Sequence, residues 1–154
     1  MDLTIFIPLA VGFGWKRMYR ILAKIFRRSY CVSMYATALD ELRSRWREGH
    51  YYVGSDDIVA WSEKAGLPMP KVFDELAVEL SSDFWVGFLG WEFVDGVANA
   101  LHSALLEFVT SDENFKWPDT FEEFYLAFDH SEMEGPRDRE LIRAFLSKHK
   151  TLTG

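Results

Sequence analysis

Apolar residues along this chain recur mostly at steps of three and four, the spacing that gathers them on one side of an α-helix. From Tyr35 to Glu48, Leu39, Leu42 and Trp46 share a face and Gly49 follows as a stop, which predicts a helix. The stretch "SDDIVAWSEKAG" carries helix signals at both ends. Ser55 can cap it, Asp56 and Asp57 fall in the first turn where the helix dipole favours acids, and Gly66 ends it. After "LPMP", whose second proline can open a helix, Val72, Phe73, Leu76, Ala77 and Leu80 line one side of residues 71–80.

Residues 83–109 are the longest apolar stretch and predict a long central helix. Its glycines, Gly87, Gly90 and Gly96, allow close packing of a neighbour or mark a kink. "SDENFKWPD" reads as a loop. The helix after it takes Asp119 or Thr120 as cap, and Thr120 with Glu123 fits a capping box. Phe121, Phe124, Tyr125 and Phe128 then fall at i, i+3, i+4 and i+7. "SEMEGP" reads as a second loop, and Pro136 opens a last helix to about Lys148 with Leu141, Ile142, Phe145 and Leu146 as its core face. Only residues 3–7 and 51–53 look strand-like, and neither has an evident partner. The pattern predicts an all-α fold, a single bundle of six or seven helices.

Charge divides the chain in two. Residues 1–33 hold six bases (Lys16, Arg17, Arg20, Lys24, Arg27, Arg28) and one acid, Asp2. Residues 34–154 hold eleven bases and twenty-three acids, so the parts carry +5 and −12 within the net −7. The acidic part repels nucleic acid and anionic lipid and attracts a basic partner, while the N-terminal arm does the reverse. The arm's apolar run "LTIFIPLAVGFGW" is shorter than the roughly 20 residues a spanning helix needs, and Pro8, Gly12 and Gly14 break it. An acid before it and bases after it reverse the order of a signal peptide. Behind it, Trp15, Tyr19, Leu22 and Phe26 oppose Arg17, Arg20, Lys24, Arg27 and Arg28 on an amphipathic pattern. This pattern fits a first helix packed on the acidic body. It also fits an interfacial helix on a membrane surface, formed by residues 1–28. Met34 is a natural start for a purely acidic domain, which gives a third reading of residues 1–33 as an upstream extension.

With hydrophobic residues at 49%, the chain can bury a large core, which excludes intrinsic disorder. The lone Cys31 excludes an internal disulfide framework and fits a cytoplasmic protein, with the arm making it membrane-peripheral in the second reading. No zinc spacing, P-loop, dinucleotide fingerprint or nucleophile elbow is present, so neither a cofactor nor an enzyme class is expected.

Two features carry candidate chemistry. In "WEFVDGVANALHSALLEFV", taking Glu92 as zero on a helical wheel, Asp95 falls near 300°, Asn99 near 340° and His102 near 280°. Val94, Leu101, Leu105 and Phe108 centre opposite, and Phe84 and Phe88 would carry the stripe into the core upstream. The stripe is a solvent face, a partner-binding or homodimer groove, or a small metal-dependent or acid–base site on Glu92, Asp95 and His102. For the last, Glu122, Glu123, Asp129 and His130 are candidates to complete it, although nothing in the sequence ties them to this helix.

The second feature is the acidic, aromatic stretch from Glu107 to Glu134, with nine acids against Lys116. Its acids keep an apolar protein soluble, or they steer a basic protein toward loop aromatics that hold it. Phe115 and Trp117 lie off any helical stripe and fit the anchor role. The expected partner-binding set is Asp112, Glu113, Phe115, Trp117, Asp119, Glu122 and Glu123. A third feature, "REGHYYVGSDD", places His50, Tyr51 and Tyr52 between helices, where tyrosines pack at a domain edge. In size and charge the chain is similar to bacterial immunity proteins, antitoxins and phage-encoded inhibitors. That likeness implies a protein that blocks or escorts a basic partner, and it assigns no residues.

Overall fold

The computed structural model describes residues 34–134 and 138–149, and the backbone there is all helical apart from turns and connections. The readings placed on residues 1–33 and on Pro136 lie outside them. Six helices are present among the described residues: α1 (34–47), α2 (Ser55–Ala65), α3 (Met69–Trp85), α4 (Trp91–Ser111), α5 (Asp119–Glu134) and α6 (Asp138–His149).

The first three helices end the same way. A glycine with positive φ (Gly49, Gly66, Gly87) follows each, and the next residue's N–H returns to a carbonyl five residues back. Gly49 and Gly66 were expected stops. Gly87 corrects the expectation of one helix over 83–109. Its φ of +80° closes α3, with the Phe88 N–H on the Asp83 carbonyl at 2.8 Å and the Gly87 N–H on the Phe84 carbonyl at 3.0 Å. The chain re-enters a helix only at Trp91.

Helix starts needed other corrections. Ser55 lies inside α2 and Gly54 precedes it as cap; the Asp57 carboxylate accepts the Gly54 N–H at 2.9 Å. Asp119 and Thr120 lie inside α5, and Glu123 is bonded elsewhere, so the expected capping box does not form. Instead Asp74, buried on α3, accepts the Phe121 N–H at 3.2 Å through Oδ1 and the Lys71 ammonium at 2.8 Å through Oδ2. Residues 131–134, expected in a loop, continue α5, and residues 51–53 are not a strand. Leu141 is exposed at the rim of α6, whereas Ile142, Phe145 and Leu146 are buried as expected.

α3 packs against α2, α4, α5 and α6 and supplies the centre of the core. Val72, Phe73, Leu76, Ala77 and Leu80 are all fully buried. Phenylalanines fix the directions of its neighbours. Phe73 meets Phe121 at 5.4 Å and Phe84 meets Phe128 at 5.4 Å, so α3 and α5 run parallel. Phe73 also meets Phe108 at 6.3 Å near the end of α4, and Phe124 meets Phe145 at 6.2 Å near the end of α6, so those two run the other way. One end of the bundle therefore gathers the starts of α3 and α5 with the ends of α4 and α6. The other gathers the α3–α4 turn and the start of α6. α1 runs across that second end. Tyr35 donates to Asp83 at 2.7 Å, and Trp46 lies against Phe93 at 5.3 Å. Gly96 is required here, because a Cβ on it would sit 2.4 Å from the Trp46 ring.

Candidate functional site

The end of α4 builds the acidic end of the bundle. After Ser111 the Asp112 carboxylate accepts the Asn114 N–H at 2.9 Å and its carbonyl accepts the Phe115 N–H at 3.0 Å. This tight turn folds Phe115 back onto Phe108, ring on ring at 5.2 Å. Trp117 follows, 37% exposed as a residue, and its indole N–H donates to the Glu122 carboxylate at 2.9 Å. Pro118 is buried and its carbonyl accepts the Glu122 N–H at 3.0 Å, so the indole and the first turn of α5 are held together.

Asp112, Glu113, Asp119 and Glu122 are all exposed here and form no ion pair among the described residues. Glu123 points a third of a turn away. It binds Lys148 and the His149 imidazole, at 2.7 Å, and these hold its carboxyl below the usual range, the histidine bond foremost. Of the seven residues expected to bind a partner, five therefore share one exposed end: Asp112, Glu113, Trp117, Asp119 and Glu122. Phe115 packs inward, and Glu123 serves the α5–α6 contact.

The polar stripe of α4 is drawn out along the helix. Glu92 and Asn99 are exposed, and Asp95 and His102 are half-buried. Glu92 and His102 lie ten residues apart, about 15 Å along the axis. The Asn99 amide donates to the Asp95 carbonyl at 3.1 Å and Ser103 to the Asn99 carbonyl at 3.0 Å, so these groups partly serve their own helix. His102 lies flat on Tyr125, with centroids 4.1 Å apart and planes within 6°. Burial lowers its pKa, while Asp129 and Glu122 on α5 pull it up. Glu122 and Asp129 thus lie within electrostatic reach of His102, a proximity absent from the sequence, but neither bonds its ring among the described contacts. The structure sends Glu123 to α6, and the His130 ring meets the Leu126 carbonyl of its own helix at 2.9 Å. Among the described residues, no group of three or more histidine, cysteine, aspartate or glutamate side chains is placed to hold a metal ion.

His50, Tyr51 and Tyr52 are exposed in the α1–α2 connection. Tyr51 lies on Trp46 at 4.2 Å and Tyr52 donates to Glu107 at 3.3 Å, so both tyrosines pack at an edge as expected. Sequence reasoning missed the α3–α4 turn. Val86 is 74% exposed and Phe88 60%, which corrects the expectation that Phe88 enters the core. The available signal was Gly87 itself, a residue free to take the positive φ of a helix stop.

No family model, curated protein or solved structure matches this chain. Among the described residues, no helix is long and apolar enough to cross a membrane.

Proposed function

We propose that this protein is a binding module whose acidic end captures a basic protein and blocks or escorts it. The observation that carries this reading is the shared exposure of Asp112, Glu113, Asp119 and Glu122 around Trp117. These four carboxylates, which form no ion pair among the described residues, leave a negative potential that steers a basic surface inward. Trp117 supplies a large aromatic face already fixed by its bond to Glu122, so little side-chain freedom is lost when a partner covers it.

The two roles separate kinetically. Once a basic partner has been captured, changing Glu113 and Asp119 to lysine, which leaves the Trp117–Glu122 bond in place, should slow association about tenfold at low salt, and added salt should erase much of that difference. Trp117→Ala should instead speed dissociation about tenfold, the effect of losing a central aromatic anchor. A captured partner whose two rate constants ignore both changes would refute the assignment.

A further inference from the structure

At the opposite end of the bundle, Trp85, Val86 and Phe88 form an exposed apolar turn, with relative exposures of 36%, 74% and 60%. The Gly87 backbone leaves Phe88 outside at the end of α3, where a helix stop more often tucks the residue after the glycine back onto its own last turn. Charges of both signs surround the turn. The Arg43 guanidinium lies 4.4 Å from the centre of the Phe88 ring, and that of Arg139 lies 5.8 Å from the centre of the Trp85 ring. Arg47 and Asp40 line the neighbouring groove with Arg43, Trp46 and Phe93. Glu92 stands exposed in the first turn of α4, and Glu140 stands exposed beside Arg139 on α6. Three arginines and three carboxylates thus ring the turn, and none of the six forms an ion pair among the described residues.

Two observations say what covers this turn. The first is the balance of its rim. A surface of a single sign gains from three of these charges and loses from the other three. A second copy of the same end can gain from all six, because in a two-fold dimer each arginine can face a carboxylate of the other copy and every such pair is made twice. Aromatics and arginines around an apolar centre are also the residues that protein interfaces favour. The second observation is the length of the molecule. α4 has 21 residues and is about 30 Å long, with the turn before its start and Asp112 after its end. Two copies joined turn to turn hold their acidic ends about 60 Å apart, far beyond the roughly 8 Å over which physiological salt screens charge. Pairing through the acidic ends would instead crowd like charges together.

We propose that the Trp85–Phe88 turn is the centre of a two-fold interface between two copies of this chain. Val86 and Phe88 pack across the axis, and the arginines of each copy meet the carboxylates of the other around them. The acidic ends then point away from each other, so one dimer offers two sites to basic partners. The self-contact stands on different residues from the acidic site and can fail without it. Three apolar side chains are a small centre beside the roughly 800 Å² per partner of a standard interface, so the dissociation constant is on the order of 10 μM.

The test is sedimentation velocity of the full chain from about 1 to 300 μM, a range that brackets that constant. Wild type should pass from a monomer of 17.9 kDa to a species of twice that mass. Phe88→Glu and Val86→Glu, both at exposed positions, should each weaken association about tenfold. Ala60→Glu, at an exposed site on α2, makes the same charge change and should associate as the wild type does. Mixing tests the charges. Arg47→Glu with Arg139→Glu makes an acidic rim, and Asp40→Lys with Glu140→Lys makes a basic one. Each should stay monomeric alone where wild type is dimeric, and the two together should form a mixed dimer. Helical circular dichroism and melting temperature would show that each variant is folded. Wild type that stays monomeric throughout would overturn the proposal. A dimer untouched by Phe88→Glu and Val86→Glu would do the same, because the copies would then meet through another surface. Rim variants that dimerise alone like wild type, or do not pair when mixed, would overturn the choice of a second copy. A monomeric wild type whose captured protein partner is lost by Phe88→Glu would assign the turn to that protein and also overturn it.

Discussion

Replacing Asp74 with alanine should loosen the start of α5, and with it the acidic end. The Asp74 side chain is buried, and Oδ1 is the acceptor for the Phe121 N–H at 3.2 Å. Losing a helix cap costs about 1 kcal/mol where water replaces it, and about 1–3 kcal/mol where, as here, the orphaned N–H is buried. Lys71, whose side chain is 61% exposed, returns to solvent and contributes little. At an ordinary urea slope this loss moves the unfolding midpoint down by about 0.5–2 M. Asp74→Asn keeps an oxygen acceptor at the same place and should cost only about 1 kcal/mol. Urea titration followed by circular dichroism measures both, and amide exchange at Phe121 should quicken in the alanine variant alone. An alanine variant within about 0.5 kcal/mol of wild type would refute this account of the cap, as would an asparagine variant equally destabilised.

Other substitutions test the packing and the charges. Gly96→Ala should lower stability by about 1–3 kcal/mol in thermal melts despite alanine's better helix propensity, because the added carbon meets the Trp46 ring. Ser81 is fully buried with its hydroxyl unpartnered, so Ser81→Ala should leave stability unchanged or raise it by up to about 1 kcal/mol in urea titration. Burial and the nearby Glu79 raise the Glu75 pKa. A raised carboxyl pKa destabilises the fold once pH exceeds it, so Glu75→Gln should raise the melting temperature at pH 7. Arg45 foremost, with the Gly54 N–H, depresses the Asp57 pKa. That contribution is full above the ordinary carboxyl value near 4 and is lost as pH falls through the depressed one. Asp57→Asn should therefore flatten the acid limb of stability against pH.

Much of the architecture was legible because burial repeats with the helical period. Phe121, Phe124 and Phe128 could be placed inside α5 from spacing alone, and all are buried. Gly49 and Gly66 were read as stops because each follows the last residue of a helical pattern and, at Gly66, the linker "LPMP" comes next. Gly87 does the same work but lies between valine and phenylalanine, so its surroundings suggested a helix interior. Asp74 was invisible for another reason. Its partner is a backbone N–H 47 residues away, and nothing in the local sequence marks a side chain that caps a different helix. At the candidate site, spacing correctly set Trp117 apart from the core and failed for Phe115, which the Asp112 turn folds back. The helical wheel put Glu92 and His102 on one face, but angle carries no information about the distance along the axis.

The most direct test of the central claim is affinity capture from the source organism's lysate with matched baits. They are wild type, a variant combining Trp117→Ala with lysine at Asp119 and Glu122, and Phe88→Glu at the opposite end. The account predicts one basic protein held by wild type and by Phe88→Glu and lost by the acidic-end variant. A partner retained by the acidic-end variant, or no basic protein held by wild type, would contradict it.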